Sequence, residues 1–343
     1  MKDKSAKVTL NEVAKLSNVS HTTVSNVLNN TGSVSEKTRQ RVLAAIETLN
    51  YEHNVLARSL KTRKSQVLGV VISDNCNPLF SLVVKGIEEV ATQRGYNVIL
   101  CNTNQEIDTE IKQIKTLYER QVDGIVISLA TESVNHLDKY IHRKPFVFIN
   151  RSPDQPFGDI VLTDNFKGGY DAVSHLLSLG HRRIGIFGCS PQYITGRERL
   201  RGYHTALEQY QVPVDPALIV KRRFRIANEA YQVAKDFIKE AKPTAVFGAT
   251  YYSMLGILKA IHFHRLRIPE DISIAGFDDC EWSECFNPPL TTVAQPGEEM
   301  GRRAASILIN RLEGDDHSPY TKVCLAPTLK IRASSRSYQN SPL

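Results

Sequence analysis

From residue 67 onward, short apolar segments alternate with longer amphipathic segments, and this alternation restricts the possible folds more than any other feature of the sequence. Apolar segments joined by helical periodicity are typical of buried strands in a parallel sheet with helices on both faces. The first series places strands at 67–73, 97–101, 124–129, 145–150 and 159–162, with helices at about 79–94, 107–121 and 133–142. The pattern then restarts, with strands at 183–188, near 219, at 245–250 and at 272–277, and helices near 166–179, 198–210, 228–240 and 252–265. We therefore predict an α/β protein whose body has two consecutive lobes of doubly wound parallel sheet.

The composition is that of a large globular chain. With 343 residues, of which 41% are hydrophobic and 23% charged, it can bury a sizeable core. No run reaches the roughly 18 apolar residues of a membrane span, and the lysine-rich start lacks the apolar core of a secretion signal, so we expect a cytoplasmic protein. The cysteines are scattered without a C-x-x-C pair, which favours reduced, structural thiols. They are Cys76, Cys101, Cys189, Cys280, Cys285 and Cys324.

The positive charge is concentrated at one end of the chain. Residues 1–66 contain 11 Lys or Arg against 5 Asp or Glu, whereas the rest of the chain contains 32 against 31. A basic head on a nearly neutral body is expected of a protein that docks the head on a polyanion, most simply nucleic acid. Charge alone leaves RNA and membrane surfaces open.

The basic head is predicted to form three short helices. Thr9 and Glu12 have the spacing of a capping box before an apolar stripe, which predicts a first helix at about 10–17. After a turn, Ser20 is a suitable N-cap for a second helix. A third helix at about 35–49 is expected to pack on the first two.

Two short helices joined by a tight turn form a helix-turn-helix, whose second helix lies in the major groove of DNA. His21, Thr22 and Asn26 are the candidates for reading bases on its polar, uncharged face. Asn can pair bidentately with adenine, and Thr can donate to a base or contact a thymine methyl. Further DNA-contact candidates in the head are Thr9, Ser20, Thr23, Ser25 and Asn29. The spacing alone leaves a plain packing module open as the alternative.

The letters of the head closely resemble the headpiece of the lactose-repressor and purine-repressor family (the LacI family) of bacterial transcription regulators. The likeness lies in VTLNEVA at 8–14 and NVSHTTVSNVLN at 18–29, and continues through 34–42, 49–51 and 54–60. It implies a helix-turn-helix headpiece at 1–53 and a hinge helix with linker at 54–66.

In such a family the hinge helix orders only when two copies meet on DNA, because isolated helices shorter than about 12 to 15 residues are marginal in water. The resemblance implies that Leu60 enters the minor groove and wedges a central base step. The alternative is a leucine that packs on its own helix. The accompanying DNA-contact candidates are Ala57, Arg58 and Lys61. His53 stands where the family usually has proline, which is expected to loosen the entry to the hinge.

The body resembles the periplasmic-binding-protein-like core of the same family. The matched motifs are DN at 164–165, GGY at 168–170, GHRRIG at 180–185, RLRGY at 199–203, IPEDIS at 268–273, GFDD at 276–279 and PPLTTVAQP at 288–296. The resemblance implies an effector-binding core at 67–343. Its N-terminal lobe would take about 67–165 and 296–326, and its C-terminal lobe about 166–295 and 327–337.

Ligands of open α/β sheets bind at the carboxyl ends of the strands, and two facing lobes leave a cleft there. The pocket candidates are Asn77, Phe80, Asn150, Arg151, Thr195, Arg199, Phe224, Thr250, Tyr251 and Asp278. The resemblance implies that Arg199 and Asp278 are the strongest effector contacts. They can fix the hydroxyls of a sugar, while Phe80 and Phe224 offer flat apolar faces to its ring. The alternative for most of these residues is a hydrogen bond at the interface between the lobes.

The pocket departs from the sugar-binding pattern of the family. Asn150 stands where many relatives carry Asp, and Thr250 and Tyr251 stand where they carry Asn-Asp, so two expected carboxylates are missing. With Arg151 and Arg199 present, the pocket should be positively charged and suit an anionic effector, such as a sugar acid or a phosphorylated sugar. This prediction requires Arg151 to point into the cleft.

The sequence lacks the common signatures of nucleotide binding and hydrolysis, namely G-x-G-x-x-G, a Walker loop, H-E-x-x-H and G-x-S-x-G. His262 and His264 have no nearby partner for a metal. We therefore expect no metal, no cofactor and no enzyme activity. An enzyme acting on a small polar substrate and a plain sugar-binding protein stay open as functions of other classes.

Too few residues follow 332–335 for the leucine-heptad tail that makes some relatives tetramers, which predicts a homodimer. The helix carrying Val83, Val84 and Ile87 and the helix at 254–261 are interface candidates, unless they simply pack on the sheet. We thus predict a transcription regulator, most simply a repressor, that binds a pseudo-palindromic operator as a homodimer. An effector in the cleft would control it allosterically.

Overall fold

The computed structural model describes residues 8–28, 31–51, 64–155, 157–314 and 318–338. The chain forms two compact units, which divide between Ser65 and Gln66. Five predicted DNA contacts lie outside the described residues, namely Asn29, Ala57, Arg58, Leu60 and Lys61. The predicted hinge at 54–66 lies largely outside them too, and its boundaries stay a prediction. None of the described helices is long and apolar enough to cross a membrane.

The first unit, the headpiece, contains the three predicted helices: α1 (Leu10–Ser17), α2 (His21–Leu28) and α3 (Glu36–Thr48). At the start of α1 the Glu12 carboxylate accepts hydrogen bonds from the backbone N–H and the hydroxyl of Thr9, at 2.6 and 2.9 Å. The hydroxyls of Ser20 and Ser35 cap the next two helices by accepting backbone N–H bonds. The apolar faces of the helices meet in one small core, formed by Val13, Ala14, Val24, Val27, Val42 and Ala45.

The second unit, the effector core, begins with a lobe whose six strands are all parallel. In sheet order the strands are β11 (Lys322–Leu325), β5 (Asp159–Thr163), β4 (Phe146–Ile149), β3 (Gly124–Ile127), β1 (Val67–Ile72) and β2 (Asn97–Asn102). The helices of this N-terminal lobe are α4 (Pro78–Gln93), α5 (Ile107–Glu119), the short α6 (Asp138–Ile141) and α12 (Gly297–Glu313). Buried valine and isoleucine fill the strands, as expected of a sheet covered on both faces.

The C-terminal lobe repeats this architecture with one difference, since its terminal strand is antiparallel. In sheet order the strands are β12 (Thr328–Lys330), β10 (Thr291–Ala294), β9 (Ser273–Phe277), β8 (Ala245–Gly248), β6 (Ile184–Phe187) and β7 (Ile219–Val220). Its helices are α7 (Asn165–Ser178), α8 (Ile194–Gln209), α9 (Ala227–Ala241), α10 (Tyr251–Phe263) and the short α11 (Trp282–Cys285). The predicted α/β class with two parallel-sheet lobes is confirmed.

The chain passes between the two lobes three times. It crosses after β5, after β10 and after β11. The crossing segments are neighbours, because β5 pairs with β11 in one sheet and β10 pairs with β12 in the other. A backbone hydrogen bond of 2.8 Å from Asp164 to Leu325 joins two of the crossings directly.

One local prediction is wrong, and for the proposed dimer-interface residues the alternative of packing inside the fold is confirmed. The helix expected at 133–142 is a 3₁₀ turn (Asn135–Leu137) followed by the four residues of α6. The apolar residues proposed for a dimer interface lie inside the fold, since Val83 and Ile87 are fully buried and Met254 and Ile261 nearly so. Val83 and Ile87 are internal because α12 covers their face of α4. The two helices approach so closely that a Cβ on Gly86 would lie 2.1 Å from the carbonyl oxygen of Glu298.

Candidate effector cleft and DNA-reading helix

All ten predicted effector contacts line one cavity of the effector core, between the carboxyl ends of the strands of the two lobes. The cavity has a volume of about 100 Å³. Two residues at strand ends, Asn150 and Asp278, adopt left-handed backbone conformations, with φ of 63° and 75°. Such conformations are uncommon for residues other than glycine and concentrate at functional sites. The cavity is therefore the candidate effector site, and ligand contact by each residue stays a prediction.

Arg199 is held rigidly at the floor of the cleft. Its Nε donates to Oδ1 of Asn165 at 2.9 Å, and Nη1 donates to the carbonyl oxygen of Ala249 at 2.6 Å. The guanidinium lies flat over the Phe277 ring, 3.5 Å from its centroid. Burial, partly offset by the nearby Asp278 carboxylate, lowers the pKa of Arg199 to about 10. The side chain is still charged at neutral pH and is oriented before any ligand arrives.

The Asp278 carboxylate lies on the same side of the cleft. One oxygen accepts from the backbone N–H of Tyr251 at 3.2 Å, and the other accepts from Nε2 of Gln295 at 2.5 Å. The amide oxygen of Gln295 is buried and has no hydrogen-bond partner among the described residues. A ligand hydroxyl can donate to the Asp278 carboxylate or to the amide oxygen of Gln295. This part of the cleft therefore suits a polyhydroxylated ligand.

Other predicted contacts have structural roles that compete with ligand binding. Asn77 caps α4 by accepting from the N–H of Leu79 at 2.9 Å, and Thr250 caps α10 by accepting from the N–H of Ser253 at 3.2 Å. The Phe224 ring is stacked on Phe187, with centroids 5.1 Å apart, so only part of its surface can face a sugar.

Arg151 points into the cleft and is buried. Its Nη1 donates to the carbonyl oxygen of Leu129 at 2.6 Å, and Nη2 donates to Oε1 of Gln105 at 3.0 Å. The guanidinium lies 4.0 Å from the centroid of the Tyr193 ring. Burial, partly offset by Tyr193, lowers the pKa of Arg151 to about 10, so it too is charged at neutral pH.

Several residues that line the cleft were not predicted from the sequence, of which Gln105, Tyr193 and Arg223 matter most. Arg223 donates to Oε1 of Gln105 at 2.7 Å and to the hydroxyl of Tyr193 at 2.6 Å. Gln105 and Arg223 each lie three residues beyond a strand, β2 and β7. The strand-end rule could have found them, but β7 has only two residues and gives a weak sequence signal.

Contacts between the lobes hold the cleft closed. The Glu132 carboxylate of the N-terminal lobe accepts from Nη2 of Arg197 at 2.8 Å and from the backbone N–H of Ile194. The Tyr193 hydroxyl donates to the carbonyl oxygen of Ala130 at 3.0 Å. Arg225 pairs with Glu106 at the rim. The structure thus contains the closed arrangement of the two lobes.

In the headpiece, α2 presents an uncharged polar face. His21 and Thr22 are exposed at its start, while Asn26 is half-buried and its Oδ1 accepts a long, 3.5 Å hydrogen bond from the hydroxyl of Thr31. The other described DNA-contact candidates surround this face: Thr9 and Ser20 are exposed, and Thr23 and Ser25 are half-buried. These side chains are brought together on one surface, and their contact with DNA stays a prediction.

No three His, Cys, Asp or Glu side chains of the described residues come close enough to hold a metal ion. The six cysteines, all within the described part of the chain, are free thiols, and burial raises the pKa of Cys189 to about 11. The Nε2 of His264 lies 2.9 Å from the carbonyl oxygen of Lys235, so this ring is part of the packing of α10.

Comparisons with known proteins agree with this architecture. Residues 9–54 match the model of bacterial regulatory proteins of the lacI family, and residues 173–335 match that of the periplasmic binding protein-like domain. The HTH-type transcriptional repressor PurR of Aliivibrio salmonicida is 35% identical over 312 residues, 90% of this chain and 93% of the relative. The HTH-type transcriptional regulator DegA of Bacillus subtilis is 34% identical over 333 residues, 96% of this chain and 98% of the relative.

Two solved structures extend the likeness to full-length regulators. The lac repressor dimer bound to operator and the anti-inducer ONPF superposes with a TM-score of 0.83 at 28% identity, over 96% of this chain and 99% of the other. The transcriptional regulator CelR in complex with cellobiose superposes with a TM-score of 0.72 at 29% identity, over 96% of this chain and all of the other.

A helix-turn-helix headpiece joined to a two-lobed binding core defines a ligand-responsive transcription regulator. The chain belongs to the LacI family of bacterial transcription regulators. It is a DNA-binding repressor of that family and not an enzyme.

Proposed function

We propose that the protein represses transcription as a homodimer on a pseudo-palindromic operator. A small, anionic, sugar-like effector that binds in the cleft would raise or lower its affinity for the operator. A sugar acid or a sugar phosphate fits best. Assembly as a dimer on an operator is supported by the lac repressor dimer, to which the chain is similar along nearly its whole length. A sugar-like effector is supported by the CelR–cellobiose complex.

The observation that carries the effector class is the excess of positive charge in the cleft, whose lining has three arginines against two carboxylates, Asp74 and Asp278. Among the described residues, none of the three cleft arginines, Arg151, Arg199 and Arg223, lies within 4.0 Å of a carboxylate oxygen. By contrast, the mostly buried side chain of Arg311 is ion-paired with Asp159 at 2.8 Å. A buried charge is costly without a partner, so an anion supplied by a ligand would bind strongly here.

For the DNA side, we assign base reading to His21, Thr22 and Asn26, the polar face at the start and middle of α2. Thr9, Ser20, Thr23, Ser25 and Asn29 would contact the backbone of the half-site. In the hinge, Leu60 would wedge the central base step, with Ala57, Arg58 and Lys61 beside it. These assignments put the protein in the cytoplasm, at its operator.

The two sites would communicate by linkage. An effector that binds one arrangement of the lobes better than another shifts their equilibrium, and the paired N-terminal lobes then order or disorder the hinge helices on DNA. Operator binding measured with and without the effector determines whether the effector weakens or strengthens repression.

The test is fluorescence anisotropy of the purified protein on DNA from directly upstream of its own gene, at several salt concentrations and with competitor DNA. The ligand panel consists of neutral sugars, sugar acids and sugar phosphates. We expect tight, competitor-resistant binding with a steep salt slope, which an anionic sugar alters. A second measurement uses DNA sequences recovered by unbiased selection. If the affinity for these sequences depends on salt alone and no ligand alters it, the proposal is contradicted.

A further inference from the structure

Two guanidinium groups from opposite lobes meet at one end of the cleft. Arg151 belongs to the N-terminal lobe and Arg223 to the C-terminal lobe. Both donate to the same neutral oxygen, Oε1 of Gln105, at 3.0 and 2.7 Å. Both also lie over the Tyr193 ring, 4.0 and 5.2 Å from its centroid.

No carboxylate of the described residues accepts a hydrogen bond from this pair, although Glu110 and Glu132 act on Arg151 at longer range. Its acceptors are amide or backbone carbonyl oxygens and one phenol hydroxyl. The Nε atoms of Arg151 and Arg223 are both buried and have no hydrogen-bond partner among the described residues. Arg151 is only 7% exposed, so water compensates little of its charge.

We propose that Arg151 and Arg223 form a two-sided clamp for the anionic group of the effector, and that the anion closes the cleft by bridging two like charges on opposite lobes. This inference rests on the proposed function, because it takes the cleft to be the effector site. It adds Arg223 as the residue that selects acidic over neutral sugars.

A bound anion reverses the sign of the electrostatic force between the lobes. Without a ligand, the two guanidinium groups repel each other across the cleft and so oppose the contacts that join the lobes. A carboxylate or phosphate between them accepts charge-assisted hydrogen bonds from both, since the planar guanidinium matches the geometry of these anions. The attraction is then available only when the lobes are together, so ligand binding and closure become one event.

The opposite end of the cleft fixes the rest of the ligand. Arg199 and Asp278 offer donors and acceptors for hydroxyl groups, next to the unpartnered amide oxygen of Gln295. The ligand class is therefore a small polyol with one terminal carboxylate or phosphate, lying with its acid toward Arg151 and Arg223.

The experiment measures thermal unfolding of the full chain by scanning calorimetry, with glucose, gluconate, glucose 6-phosphate and inorganic phosphate. Sodium chloride at equal ionic strength is the reference for screening. The variant is Arg223→Gln, and the matched control is Arg222→Gln, which removes the same charge from the neighbouring, exposed position outside the cavity lining. Arg223→Lys restores the charge without the planar fork.

We expect at least one of the three anions to stabilise the wild type and the control beyond chloride, with glucose weaker than its acids. Gluconate against glucose 6-phosphate distinguishes the carboxylate from the phosphate. Arg223→Gln should weaken binding of that anion at least about tenfold, with partial recovery in Arg223→Lys. Small-angle scattering should show a smaller radius of gyration on anion binding in the wild type and in Arg222→Gln, but not in Arg223→Gln.

Three results would overturn the inference: no anion exceeds chloride, Arg223→Gln keeps the full response, or the anion binds without closing the lobes. Operator anisotropy of the same samples separates this from failure of the proposed function. If a neutral sugar alters operator binding equally in the wild type and in Arg223→Gln, the clamp is refuted, whereas the proposal of a ligand-controlled regulator is supported. Unaltered operator binding with every ligand would refute the regulator itself.

Discussion

The headpiece and the effector core place their functional side chains in opposite ways. On α2, His21 and Thr22 are exposed and contribute little to the fold, whereas Arg151 and Arg199 in the cleft are buried, and each donates a hydrogen bond to a backbone carbonyl of its own lobe. An exposed reading face can change its specificity at little cost in stability. A buried binding face cannot, because the same hydrogen bonds orient the arginines and satisfy backbone carbonyl groups of the fold.

The largest effect is expected from Arg199→Ala. Effector affinity should fall by about 2–5 kcal/mol, since a desolvated charged contact is lost. The free energy of unfolding of the core should fall by about 1–3 kcal/mol, because Asn165 and Ala249 each lose a buried donor. Operator affinity without effector should be unchanged. Titration calorimetry and denaturant unfolding measure the two quantities, and Arg201→Ala, an exposed position on the same helix, is the control. A normal effector response would mean that the pocket assignment is wrong.

The next effect is that of Leu60→Ala in the hinge. Operator affinity should fall about tenfold or more, because the minor-groove wedge that bends the DNA is lost. The thermal unfolding of the core and its effector affinity should not change. Anisotropy on operator and on random DNA measures the loss. Equal affinities of wild type and variant would assign Leu60 to packing within its own helix.

Asn26→Ala should have a smaller, more local effect. Discrimination at one base position per half-site should relax by about 1–3 kcal/mol, since one bidentate base contact disappears. Stability should stay within about 0.5 kcal/mol of wild type, as for other surface changes. Selection of bound sequences from a randomised half-site is the measurement, and Gln40→Ala on the exposed surface of α3 is the control. A uniform loss over all positions would instead assign Asn26 to a backbone contact.

The smallest effect is that of Ser35→Ala, which removes the cap of α3. Its hydroxyl accepts from the N–H of Thr38 at 3.3 Å, and loss of such a cap costs about 1 kcal/mol. Hydrogen exchange of the α3 amides in the full chain should speed up, while exchange in the core stays the same. Ser33→Ala, which lies before the helix, should change neither. Faster exchange throughout the core would show that the two units are energetically coupled in the absence of DNA.

Much of the fold follows from the sequence, because the central strands of the effector core, such as β1, β3 and β4, are apolar along their length and the long helices have one apolar face. The strand-end rule also brought the ten predicted cleft residues to one cavity. The hydrophobic pattern does not indicate which element packs on the apolar face of each helix. The apolar residues of α4 are equally compatible with a dimer interface, and only the close approach of α12 at Gly86 shows that they are internal.

The chemistry of the cleft was harder to predict than its position. Arg223 follows a two-residue strand, and its significance depends on Arg151, which lies far away in the sequence and on the other lobe. The sequence supplies the individual charges, whereas the closed arrangement of the lobes decides which charges face one another.

The three neighbouring crossings between the lobes have a consequence for the speed and cost of signalling. Because the lobes are tethered at one side, each is always present to the other at a high effective concentration, and closing the cleft loses no translational freedom. The crossings permit rotation about the line that joins them but prevent separation. The free energy of effector binding is therefore used to change the angle between the two lobes. A small ligand can supply enough free energy in this way to determine whether a much larger protein surface stays on DNA.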